Sequence, residues 1–349
     1  MDKPEITTER YGPDEHSQSK IKRWKTCPKM YYYNDVKRVR LGRDPCGMSL
    51  PMGTVFHSAC ESFHNSLMKG FEPNIEIIMH MIDKELRENC ANMEAPPNLD
   101  NARVLVVDGS LGYHWQQVPR GTPISEVEGV LERAAKNIQW WFQCYVDAYN
   151  NGELDCLKNI EIGCEVDYRR KLDDLGMTIR GQVDVAVSNT VLADWKTANA
   201  NKRYNWSQDR AEGELQASYY AALMNEDEID FLYVVVDKQV HPDYQSNYAI
   251  NKNGGEHVRC AVNVYKTKRT KADHQNIYDL LELFIRSTDV LNGHKNGKFP
   301  RVANGLGEDF CGNFCDFKTI CYNELMEERG INLVEMAGEM NDGAGEEGQ

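Results

Sequence analysis

Apolar residues fall first into helical and then into strand periods along the chain. Over 53–68, Val55, Phe56, Ala59, Cys60, Phe63 and Leu67 recur at three- and four-residue steps behind a Pro51-Met52-Gly53 entry. That spacing predicts one buried helical stripe, with His57, Glu61 and His64 on the opposite face. Helices are predicted again at about 74–93 and 127–150, the second aligning Leu131, Ala134, Ile138, Trp141, Phe142, Tyr145 and Tyr149. The stretch 95–125, rich in Pro and Gly, reads as loops. From Ile160 the period drops to two, and strands are expected at 161–171, 177–188 and 190–197. Short turns at Asp173-Asp174-Leu175-Gly176 and Ser188-Asn189 join them into an antiparallel meander. A helix at 212–225, the apolar strand Phe231–Val236, a strand near 258–266 and a long helix at 272–292 complete the pattern. Helix, three strands, helix, strand is the order of an α/β sandwich.

No internal repeat or long low-complexity linker interrupts this order. One domain is therefore expected over 1–322, with a helical insertion at about 70–155 and a loose tail at 323–349. The polar opening MDKPEITTERYGPDEH and the lack of a long apolar run lead us to expect a cytoplasmic protein without a membrane span. A net charge of -14 opposes phosphate binding, but the tail holds eight acidic residues against Arg329 alone, which is half of that charge. Basic clusters stand at Lys20, Lys22, Arg23 and Lys25, at Lys37, Arg38, Arg40 and Arg43, and at Lys266, Lys268, Arg269 and Lys271. Each is either a solvated face or a contact for nucleic acid.

Candidate chemistry gathers on the strands. In Gly181-Gln182-Val183-Asp184-Val185 the valines point to one side and Asp184 to the other, and in Asp194-Trp195-Lys196 the two charged residues share a face. Pairing of these strands would converge two carboxylates and one ammonium. Carboxylates that close repel one another unless a cation lies between them, so a divalent metal is the natural partner. The bland alternative is a solvent-facing row of charges, since acid-x-Lys also occurs at Asp35-Val36-Lys37 and Asp316-Phe317-Lys318. The following helix places Gln216 and Tyr220 four residues apart on one face.

Eleven cysteines, an odd number, argue against a simple disulfide framework. Cys311, Cys315 and Cys321 form a tight trio, and Cys27 completes four thiolates if the ends of the chain meet. Such a set suits a 4Fe-4S cluster or a tetrahedral zinc. Cys46, Cys60, Cys90, Cys144, Cys156, Cys164 and Cys260 have no ligand spacing and read as core or surface thiols.

These pieces, in this order, resemble the PD-(D/E)XK nucleases, in particular the RecB-like exonucleases with an iron-sulfur cluster, among them the CRISPR-associated RecB-type family and the nuclease of the AddB subunit. The resemblance spans pieces from Ser17 to Cys321. It rests on Ser17-Gln18-Ser19 with Cys27-Pro28-Lys29-Met30-Tyr31, on Gly53-Thr54-Val55-Phe56-His57, on the two acidic strands, and on Gln216 with Tyr220. It implies a mixed central sheet flanked by helices. Asp184, Asp194, His57 and the carbonyl of Trp195 would bind Mg²⁺ or Mn²⁺, and Lys196 would orient the attacking water. Gln216 and Tyr220 would contact substrate or hold the lysine, while Glu165, in competition with Glu161, would be a supporting acid. The resemblance also favours the 4Fe-4S cluster on Cys27, Cys311, Cys315 and Cys321 over zinc, although three residues separate Cys311 from Cys315 where relatives have two.

The function so implied is a metal-dependent exonuclease acting on single-stranded DNA ends in recombination, repair or end processing, as a homo-oligomer or beside a helicase or recombination partner. A catalytically silent DNA-binding accessory subunit and a zinc-bound interaction scaffold are the alternatives. No Gly-x-x-x-x-Gly-Lys-Ser/Thr loop is present, so helicase activity would reside on another chain.

Overall fold

A computed structural model describes residues 4–7, 15–39, 49–91, 101–106, 114–119, 123–126, 129–199, 206–293, 317, 320, 321, 323 and 324. The chain divides into two compact units, one of residues 1–16 and 43–280, the other of 17–42 and 281–349.

The first unit is built on a mixed sheet. Its strands are β1 (Glu5–Ile6), β2 (Glu15–His16), β5 (Gly163–Leu172), β6 (Met177–Ala186), β7 (Val191–Asn199), β8 (Glu228–Lys238) and β9 (Val262–Thr270), with a separate hairpin of β3 (Asn101–Val106) and β4 (His114–Pro119). The main sheet runs β1-β5-β6-β7-β8-β9, and β2 joins β6 in parallel. The meander β5-β6-β7 is antiparallel as the period-two pattern predicts, and β7 and β8 are parallel. The chain makes that parallel crossover through α6 (Gln208–Gly213) and α7 (Leu215–Met224).

Alternation along the strands assigns the two faces. Ala193 and Trp195 of β7 and Leu232, Val234 and Val236 of β8 pack with the stripes of α3 (Ser49–Met68), α4 (Ile75–Cys90) and α5 (Val130–Asn150) in one core. Phe231 of β8 points the other way and stacks on Tyr220 of α7, their ring centroids 5.9 Å apart. Trp141 belongs to the α5 core and donates Nε1–H to the Gln239 carbonyl at 2.7 Å.

Two expectations are corrected. The stretch read as loops holds the β3–β4 hairpin, with Asn101 opposite Pro119 and Val106 opposite His114. Its Pro and Gly residues bound the short strands instead of filling the whole segment. The last strand, expected near 258–266, lies at 262–270, where an unbroken ladder pairs Val262 with Val236 and Thr270 with Glu228 of β8, and Lys268 and Lys266 meet Glu228 and Asp230 at 3.0 and 2.6 Å. Lys271 pairs with Asp227 at 2.8 Å and Arg269 with Glu212 at 3.2 Å, so all four cations of that basic cluster are matched by acids.

In the second unit, Ser17 caps α1 (Gln18–Thr26), accepting from the Lys20 amide at 3.4 Å, and Cys27 ends α1 just before Pro28 opens α2 (Pro28–Tyr31). Trp24 and Tyr31 meet Phe284 edge-on, both at 5.4 Å, on the C-terminal half of α8 (Lys271–Gly293). The late segment folds back on this N-terminal piece: Phe317 stacks on Tyr33 at 5.4 Å and Glu324 pairs with Lys29 at 2.6 Å. Cys321 follows Phe317 by one helical turn, its amide bonded to the Phe317 carbonyl at 2.9 Å. Cys311 and Cys315, most of the 323–349 tail, Arg40 and Arg43 lie outside the described residues.

Candidate active site

The acidic residues meet where the ladders break. On the β5–β6 hairpin, Cys164 pairs with Val185 and Val166 with Val183, while the intervening Glu165 and Asp184 form no ladder pair. Glu165 there has φ 51°, the left-handed region that a non-glycine residue occupies only under constraint. Between β6 and β7 the ladder covers Val185 with Ala193 and Ala186 with Leu192, then stops. Beyond that point the Asp184 carboxylate takes over as partner, its Oδ2 accepting from the Trp195 amide at 2.8 Å.

The helix α3 brings His57 to this opening, with Nδ1 3.3 Å from Asp184 Oδ2. Ligand atoms of His57, Glu165 and Asp184 all lie within 4.8 Å of one another. Two carboxylate oxygens and one imidazole nitrogen at that spacing suit a hard divalent cation bound at about 2.0–2.6 Å from each. Asp194, buried at 2% exposure, adjoins the group. Its Oδ1 accepts from Gln216 Nε2 of α7 at 2.5 Å, and its Oδ2 is ion-paired to Lys196.

Electrostatics agree with the donor chemistry. Burial, then the carboxylates of Glu61, Asp194 and Asp167, push Glu165 up to about 7. Burial and then Asp194 raise Asp184 well above the ordinary carboxylate range, against the pull of Lys196. Burial lowers His57 to about 4, leaving its imidazole neutral and able to donate a lone pair. Burial alone would lower Lys196, yet Asp194 and Asp184 beside it raise the ammonium above the ordinary lysine value. Each carboxyl shift disfavours joint ionisation, and a divalent cation between the groups would reverse it.

Of the residues singled out from sequence, His57, Glu165, Asp184, Asp194, Trp195, Lys196 and Gln216 thus meet at one opening. Glu161 is exposed, and among the described residues its main-chain amide donates to the Val187 carbonyl at 2.8 Å. Tyr220 lies deeper, stacked on Phe231, and its hydroxyl donates to the Gln182 carbonyl, so it braces the β6 strand. His64, expected on the face opposite the buried stripe, is itself buried at 1% exposure and bonded to Tyr145 Oη at 2.6 Å. Tyr145 was visible only as one more apolar position on the α5 stripe. A buried tyrosine needs a partner for its hydroxyl, and that is the one signal that could have drawn attention to it.

No curated protein matches the chain. Among solved structures it is similar to a provisionally named exonuclease from Eubacterium rectale, at 10% identity over 89% of this chain and 98% of that one, with a TM-score of 0.44. The family model of the PD-(D/E)XK nuclease superfamily matches residues 15–322, which takes in both acidic strands, the histidine helix and the glutamine helix. The chain belongs to the PD-(D/E)XK nuclease superfamily.

Proposed function

We propose that the protein is a Mg²⁺- or Mn²⁺-dependent deoxyribonuclease that removes nucleotides from DNA ends, with single-stranded ends as its substrate. The observation that carries this reading is the convergence of His57, Glu165 and Asp184 within 4.8 Å, beside the Asp194–Lys196 pair. His57, Glu165, Asp184, Asp194 and the carbonyl of Trp195 would hold the divalent ion. When bound, that ion supplies Lewis acidity for the charge that grows on the scissile phosphate and acidifies a water. Lys196, held by Asp194, orients the attacking water and donates to the phosphate oxygen. Gln216 fixes the Asp194 carboxylate so that its other oxygen stays on Lys196. Tyr220 keeps the Gln182 carbonyl, and with it the strand preceding Asp184, in place.

We further propose a 4Fe-4S cluster on Cys27, Cys311, Cys315 and Cys321, with a role in structure. Supporting it, the late segment of Phe317, Cys321 and Glu324 is tied to the early one through Tyr33 and Lys29, and Cys27 is buried between α1 and α2. Four thiolates from both ends of the unit would restrict its unfolded chain strongly.

The test is digestion of end-labelled single-stranded DNA with Mn²⁺ or Mg²⁺, comparing wild type with Lys196→Ala, both purified without air. Metal-dependent loss of label that vanishes in the variant supports the nuclease and its site. Absence of cleavage by folded, iron-loaded wild type overturns it in favour of a DNA-binding accessory subunit.

A further inference from the structure

Trp195 stands between the two charged residues of its strand and connects the opening to the buried core behind it. On one side its amide holds Asp184 Oδ2 at 2.8 Å. On the other its indole, with 0% exposure, donates Nε1–H to Tyr145 Oη at 3.1 Å. Tyr145 Oη in turn lies 2.6 Å from His64 Nε2, and the His64 ring is stacked on the indole with centroids 5.9 Å apart and planes 23° apart.

The chemistry of the three groups sets the direction of this chain. An indole N–H can only donate, so Tyr145 Oη accepts there. Burial lowers His64 to about 4 and keeps its ring neutral, and in the tautomer with the proton on Nδ1 its Nε2 accepts the Tyr145 proton. Trp195 Nε1, Tyr145 Oη and His64 Nε2 then each have a partner in the row, which favours one orientation of the indole. Because Cα of Trp195 joins the indole to its own peptide, that orientation also sets the amide that grips Asp184.

We infer that Tyr145 and His64 are positioning residues for divalent-metal binding, acting through Trp195 although neither reaches the ligand group. This rests on the nuclease reading and extends it to residues outside the opening. Outer-shell partners of metal ligands typically contribute 10–100-fold in affinity.

Mn²⁺ binding to the full chain, measured by calorimetry in the absence of DNA, tests it together with cleavage at rising Mn²⁺. Asp184→Asn is the reference for loss of the site. Tyr145→Phe, which keeps the ring and removes only the hydroxyl, is expected to weaken Mn²⁺ binding about tenfold. Its cleavage should return to within about threefold of wild type at saturating Mn²⁺, with circular dichroism in EDTA matching wild type so that a general loss of stability is separated from weakened binding. His64→Gln, whose amide oxygen can still accept from Tyr145, should bind Mn²⁺ within about threefold of wild type, and His64→Leu should behave like Tyr145→Phe. Folded Tyr145→Phe and His64→Leu proteins with wild-type Mn²⁺ affinity would overturn the inference while the nuclease reading stands. Wild type that binds no Mn²⁺, or Asp184→Asn that binds it normally, would instead overturn the metal site and the inference with it.

Discussion

Replacing Gly181 with alanine would put a methyl carbon 2.5 Å from Cε1 of Tyr220, 3.2 Å from its Cδ1 and 3.3 Å from Cδ2 of Leu223. Carbon atoms rest at about 3.5–4.0 Å, so the ring must retreat by about 1 Å or more. Tyr220 has little room to do so: it is 7% exposed, stacked on Phe231 with ring planes 9° apart, and bonded through its hydroxyl to the Gln182 carbonyl. Overpacking of this kind costs about 1–3 kcal/mol, and losing the hydroxyl bond adds about 1 kcal/mol, so Gly181→Ala should destabilise the fold by about 2–4 kcal/mol. Urea unfolding followed by circular dichroism measures this directly. If the clash is the cause, removing the ring relieves it. The double variant Gly181→Ala, Tyr220→Ala should then be destabilised by at least about 1 kcal/mol less than the sum of the single effects. A Gly181→Ala protein within about 0.5 kcal/mol of wild type, or strictly additive single effects, would refute the argument that glycine is required here for close approach of α7 to β6.

In EDTA, Glu165 at about 7 and the raised Asp184 bind protons more tightly when folded than when unfolded. These carboxyls should lower stability as pH rises from about 4.5 through 7, while buried His57 and His64, lowered to about 4, raise it up to about 6.5, so the carboxyl share is read as the stability of wild type minus that of Glu165→Gln in EDTA. That difference should fall as pH rises, and added Mn²⁺ should raise the melting temperature more at pH 7.5 than at pH 5; a pH-independent difference would contradict the crowded-carboxyl picture. Gln216→Ala removes the bond to Asp194 Oδ1 and should lower cleavage about tenfold with little change in melting temperature, whereas unchanged cleavage would detach Gln216 from the site. For the cysteine set, Cys27→Ser and Cys321→Ser should each strip iron and the broad visible absorbance from protein purified without air. Retained iron in either variant would remove that residue from the ligand set, and stoichiometric zinc in wild type would replace the cluster.

Much of this protein is legible in the order of its residues, because local spacing carries local structure. The stripes of α3 and α5 and the period-two runs of β5, β6 and β7 need only a few neighbours each, and alternation is enough to separate Asp184 from the valines beside it. The same local reading put His57, Glu165, Asp184, Asp194, Lys196 and Gln216 on the strands and helices that bring them together. What tertiary structure alone decided are relations across long separations. The β6–β7 ladder stops one residue short of Asp184, so that a side chain instead of a carbonyl receives the Trp195 amide, and no pattern in either strand announces this. Glu165, at φ 51°, lies within 4.8 Å of the ligand atoms of His57 and Asp184, whereas Glu161, four residues earlier, is exposed, and nothing in the local pattern separates the two. His64 and Tyr145, 81 positions apart, each look like ordinary members of a helix until packing buries both beside one indole. A buried polar group must find a partner, and which partner it finds is set by how the layers dock, a property of the whole fold and not of any segment.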